Sequence, residues 1–147
     1  MNRFLELATG SRYHGTGAYV TAAVRVVTGV LFVTFSVGKF SDHMQEATDF
    51  EHYGVPLADV TVYVVGVVEL IGGLLLVVGL FTRLAALILA VNMIGAIGTA
   101  GRVDGGSFHL GVAPTLLVAM LFLVWAGSGA FAVDTKLAGG GGTRTAF

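Results

Sequence analysis

The chain has 147 residues, 55% hydrophobic and 12% charged, with a net charge of −1, a mean hydropathy of +0.86 and no cysteine. Soluble domains carry about 25% charged residues, so this chain has too little polar surface to coat a globule. No basic run tracks a phosphate backbone, which argues against nucleic acid. The missing thiols remove disulfides, CxxC redox pairs and thiolate or iron–sulfur ligation from this chain.

In chain order, Met1 to Leu7 reads as a short amphipathic piece within an N-terminal cytoplasmic segment, residues 1–18. The first apolar run, Tyr19 to Gly38, carries Arg25, has no small-residue cleavage pattern and reads as a retained signal anchor. The loop from Ser41 to Pro56 places Phe40, Met44, Ala47 and Phe50 at helical spacing with acids between them, and Gly54-Val-Pro56 stops the run. A short amphipathic helix at the outer interface is expected there. The runs Val60 to Leu80, Leu84 to Ala100 and Leu110 to Phe131 complete the set, with Phe81-Thr82-Arg83 a tight link that makes the second and third helices antiparallel neighbours. Gly95, Gly98 and Gly101 mark the end of the third run as thin, close-packed or frayed. Pro114 falls where a missing N–H costs little.

Each run is long enough to cross a hydrocarbon core of about 20 helical residues, and no polar alternation suggests a barrel. The expected fold is therefore all-α: an integral membrane four-helix bundle over residues 19–134, followed by a flexible cytoplasmic tail, 135–147. Arg3, Arg12, Arg83, Lys136 and Arg144 lie on one side and Lys39 and Arg102 on the other, so both termini are expected in the cytoplasm.

The polar residues inside the runs are where chemistry would lie. Glu69 stands alone near the middle of the second run, and a carboxylate at that depth costs roughly 2.5–3.5 kcal/mol on insertion scales. Arg25 on the first helix is its expected partner, with Asn92 able to join the cluster. Such a pair reads either as structural glue or as the floor of a cavity for a polar head such as a quinone ring. For Asn92 the simpler reading is an interhelical hydrogen bond. At the outer face, Lys39, Asp42, His43, His52 and His109 gather, with Lys39, His52 and His109 the candidate mouth residues. Their spacing matches no metal motif, and solvated loop residues with a snorkelling Lys39 are the simpler reading.

These residues resemble the DoxX family of small four-helix bacterial membrane proteins. The likeness runs from Val20 to Asp134 and rests on several motifs. They are Arg25 with Gly29, Gly38-Lys39-Phe40, Gly54-Val-Pro56, Glu69-Leu-Ile-Gly72-Gly73, and Gly79-Leu-Phe-Thr82-Arg83-Leu-Ala-Ala86. Gly127-Ser-Gly129 with Asp134 resembles the family's glycine-rich ending. The resemblance implies a multi-pass protein of the bacterial inner membrane, in contact with lipid and with other membrane or membrane-associated subunits. Members of the family are linked to oxidoreductase assemblies handling thiol and superoxide stress, and a related branch is a subunit of a thiosulfate:quinone oxidoreductase. No catalytic residue carries over, and a chain without cysteine departs from any member doing thiol chemistry directly. Two functions are therefore expected: an anchoring or assembly subunit of a membrane oxidoreductase complex, or a quinone-reactive subunit with a head-group site at Arg25 and Glu69.

Overall fold

Uninterrupted Val, Leu, Ile and Ala can satisfy their backbone in lipid only as helix or closed barrel. In the computed structural model, which describes residues 10–139, every regular element is helical. The elements are α1 (Thr16–Ser41), α2 (His43–His52), α3 (Ala58–Val78), α4 (Thr82–Gly98), α5 (Ala100–Val103), a π-helical turn (Phe108–Val112), α6 (Ala113–Ala126) and α7 (Val133–Gly139). Four stretches are long and apolar enough to cross a membrane: Thr16–Ser41, Ala58–Val78, Thr82–Val103 and Phe108–Ala126.

The boundaries differ from the sequence reading at specific places. The fourth span stops at Ala126 instead of Phe131 because Gly127, at φ 90°, turns the chain back across the bundle. α4 begins at Thr82, ahead of the expected Leu84, because a distant side chain caps it, as described below. The amphipathic helix forms as α2, and Gly54, at φ 74°, ends it. Thr135 to Gly139, expected in the flexible tail, belong to α7. The Met1 to Leu7 piece, Arg3, Arg144 and the rest of the tail lie outside the described residues.

Association of helices in lipid gains little from hydrophobicity and depends on close packing, so small residues set the geometry. α1 and α3 run antiparallel and cross at Gly29 and Gly73. A Cβ on either glycine would lie 2.8 Å from the other's carbonyl oxygen. α4 packs on α6 and, through Gly72 against Leu89, on α3. Phe32, Leu76, Leu89, Met120 and Leu123 are fully buried between the four spans. α2 lies across α3 at the end of the bundle opposite the termini.

Candidate functional site

Glu69 is 4% exposed, and its two oxygens have different partners. Oε1 accepts a hydrogen bond from Asn92 Nδ2 at 2.9 Å, tying α3 to α4. Oε2 lies 2.9 Å from Lys39 Nζ, an ion pair tying α3 to α1. Lys39 does not snorkel outward; its side chain is only 12% exposed. Its stem lies against Gly66, where a Cβ would come within 3.2 Å of Lys39 Cβ. The glycine one turn before Glu69 thus clears the path along which the ammonium reaches the carboxylate.

The expected Arg25–Glu69 pair does not form. With Gly29 level with Gly73, Glu69 stands opposite Val33, eight residues beyond Arg25, or about 12 Å along the axis. Side chains lean toward the N-terminus of their own helix. In an antiparallel pair this carries Arg25 and Glu69 apart, while Lys39 and Glu69 lean toward each other. Of the expected cluster, Asn92 joins Glu69 and Arg25 does not.

The Lys39–Glu69–Asn92 group borders a cavity of about 730 Å³ in the half of the bundle away from the termini. All four spans contribute to its walls. Val65, Met93, Ala113 and Leu116 are apolar, and Phe35, Phe50, Phe108, Tyr53 and His109 supply rings. α2 forms the roof, with Glu46, Asp49 and Phe50 facing in. It is fastened at both ends: His43 stacks on Tyr63 at 3.8 Å and stands 3.6 Å from Asp59, while His52 Nε2 meets Asp104 Oδ1 at 3.1 Å. Of the expected mouth residues, Lys39 and His109 line the cavity, whereas His52 does not and instead meets Asp104. Tyr53 packs edge-on against His109 at 5.7 Å. Burial first, then the hydrogen-bonding Asp104 carboxylate, with Asp49 and Glu46 beyond, pushes its phenol up to about 12.

Arg25, 1% exposed, belongs to a separate structure at the terminal end. Its Nη2 donates to Ala130 O at 3.3 Å, and Nη1 fills the space in front of Gly79, which a Cβ there would occupy. Gly79 ends α3 at φ 73°, so both conformation and space call for glycine. Asp134, fully buried, accepts from Phe81 N at 2.7 Å and Thr82 N at 2.9 Å. It thereby caps the first turn of α4 from about 50 residues away, where a carboxylate also meets the positive end of the helix dipole. Its own N–H donates to Gly79 O at 2.9 Å. Arg83 Nη2 reaches Trp125 O at 3.4 Å, and Arg12 lies over the Trp125 ring at 5.5 Å. The motif residues Gly79, Arg83 and Asp134 therefore form a clasp. Gly72 and Gly73 serve helix approach.

Comparison with known proteins agrees with this architecture. The DoxX family model matches residues 20–102. An uncharacterised membrane protein of Mycobacterium tuberculosis is 31% identical over 138 residues, covering 84% of this chain and 85% of its own length. An uncharacterised protein of Haemophilus influenzae is 34% identical over 124 residues, covering 80% of this chain and 90% of its own. A Bacillus subtilis protein named "Putative oxidoreductase CatD" is 37% identical over 79 residues, 54% of this chain and 58% of its own. No solved structure matches significantly. With Arg25, Gly29, Glu69, Gly72, Gly73 and Gly79 all at helix contacts of a four-span bundle, and a matched model over more than half its length, this chain is a membrane protein of the DoxX family.

Proposed function

We propose that this chain is the membrane-embedded subunit of an oxidoreductase complex of the bacterial inner membrane, with both termini cytoplasmic, and that its cavity binds the head group of a quinone. The observation that carries this reading is the buried Lys39–Glu69–Asn92 group bordering a ring-lined cavity of about 730 Å³. An ammonium and an amide N–H can donate to a quinone carbonyl, and aromatic walls suit a flat ring. Three carboxylates (Glu46, Asp49 and Glu69) face one ammonium in the lining, which disfavours anionic heads such as fatty-acid carboxylates and favours a neutral one. The head-group residues are thus Lys39, Glu69 and Asn92, with Arg25 assigned to the clasp. Electrons would come from a partner's redox centre, since the chain has no cysteine to hold one.

The test is quinone binding by purified protein in lipid nanodiscs. Wild-type protein should retain or take up quinone; Glu69→Gln, which loosens the group that orients Lys39 and Asn92, and Asn92→Leu, which removes a donor, should each weaken binding by roughly tenfold, the worth of one lost hydrogen bond. Wild-type protein that binds none would overturn the head-group reading.

The anchoring role stands on the similarity to the Bacillus subtilis protein named as an oxidoreductase. Mild solubilisation at native expression should recover a redox subunit together with this chain. Recovery of this chain alone across several detergents would count against it.

A further inference from the structure

The cavity opens sideways. α3 and α4 are in tight contact where Gly72 meets Leu89; a Cβ on Gly72 would lie 2.9 Å from Leu89 Cγ. Three residues along, Glu69 and Asn92 bridge the same two helices at 2.9 Å. One turn further, the contact has ended. Gly95 lines the cavity and is itself exposed, and a Cβ built on it would meet nothing within 4 Å. Val91, on the preceding turn, is 63% exposed and lines the cavity too. Thr61 and Val65 of α3 border the gap on its other side. All four residues belong to membrane-spanning stretches, so the opening faces lipid.

Two other approaches are covered. α2 covers the aqueous side and is held down through His43 and His52. Between α1 and the π-helical turn, Phe35 and Phe108 stand edge to face at 5.1 Å.

We propose that the α3–α4 gap at Gly95 is the passage through which a long hydrocarbon tail leaves the cavity, so that the preferred ligand is a polyprenylated quinone. This rests on the head-group reading above. Asn92 and Gly95 are one turn apart, about 5 Å, so a ring hydrogen-bonded at Asn92 places its substituent at the gap. A side chain at Gly95 would fill the passage without touching the head-group residues.

The experiment compares menadione, which has the ring and no tail, with its polyprenylated counterpart in nanodiscs, concentrations being expressed per lipid to cancel partitioning. The proteins are wild type, Gly95→Leu, Val91→Trp, and Gly98→Leu as control. Gly98 is also exposed on α4 with nothing within 4 Å of a Cβ, and it does not line the cavity. Replacing a helical glycine with leucine favours the helix, so folding should persist, with monodispersity and helical circular dichroism as the check.

Wild type should prefer the tailed quinone. Gly95→Leu and Val91→Trp should each weaken it by about tenfold or more and leave menadione within about twofold, a few lost methylene contacts being enough. Gly98→Leu should change neither. Equal affinity of wild type for the two ligands overturns the passage and leaves the head-group site standing. So does tailed binding that survives both blocking variants, or that falls in parallel with menadione. If wild type binds neither quinone, the head-group reading fails and this inference with it.

Discussion

Removing Lys39 should be far more damaging than removing the charge of Glu69. The two ions are 2.9 Å apart with side chains 12% and 5% exposed. At an effective dielectric of about 20, their attraction is roughly 6 kcal/mol before the desolvation that it offsets. Lys39→Met leaves the carboxylate buried with Asn92 as its only hydrogen-bonding partner among the described residues, and breaking a buried pair from one side costs about 3–5 kcal/mol. Glu69→Gln keeps an oxygen for Asn92 and frees an ammonium that sits in the last turn of its helix, so about 1–2 kcal/mol is expected. The double variant should be no worse than Glu69→Gln, giving a coupling of at least about 3 kcal/mol. At about 3 °C per kcal/mol for a chain of this size, Lys39→Met should lower Tm by roughly 10–15 °C and Glu69→Gln by about 5 °C. Trp125 fluorescence melts in detergent at neutral pH would measure this. A Lys39→Met protein melting within about 3 °C of wild type, or below it by less than Glu69→Gln, would refute the pairing.

Asp134→Ala removes the acceptor for two N–H groups at the start of α4 and should cost about 1–3 kcal/mol, whereas Asp134→Asn keeps one acceptor and should cost less; thermal melts of the two variants separate them. Gly73→Leu places carbon where the Gly29 carbonyl lies, 2.8 Å from the nearest Cβ position, and should abolish the α1–α3 crossing, read as loss of monodisperse protein on size exclusion. For Tyr53, folding favours the neutral phenol, so its stabilising contribution is intact below about pH 10 and disappears as pH climbs from there to about 12. Absorbance at the tyrosinate band, wild type minus Tyr53→Phe, should therefore rise near pH 12; a rise near pH 10 would mean that the roof does not enclose the hydroxyl.

The spans were legible because their apolar runs are long and their interruptions few. α2 was legible from Ala47 and Phe50 at helical spacing, although Phe40 belongs to α1 and Met44 is exposed, and the antiparallel α3–α4 pair from the three-residue link. The partner of Glu69 was misread because the register of the two helices is fixed by Gly29 and Gly73, four residues beyond Arg25 and Glu69 respectively, which sets the two charges at different heights. Two features could have pointed to Lys39: Gly66, one turn before Glu69, and the opposed lean of side chains in antiparallel helices. Asn92 was accessible because α3 and α4 are joined by a tight turn, which leaves little freedom in their register. The clasp was invisible as geometry. Asp134 reads only as a residue of the glycine-rich ending, with no partner to name, until Gly127 is seen to turn the chain back over Gly79. The cavity could not be read either, since it depends on where helices separate, and Gly95 looks in the sequence like Gly72, which has the opposite role.

The clasp also constrains how the protein is made. Arg25 is made before its partner: the carbonyl it donates to belongs to Ala130, 105 residues later. The first N–H groups of the third span likewise wait for Asp134. At translation speeds of about 5–20 residues per second, the nascent chain spends roughly 5–20 s with that guanidinium lacking its acceptor. The bundle can therefore lock only after Ala130 and Asp134 have been made, and a chain terminated before them would carry an unsatisfied cation that membrane quality control can recognise.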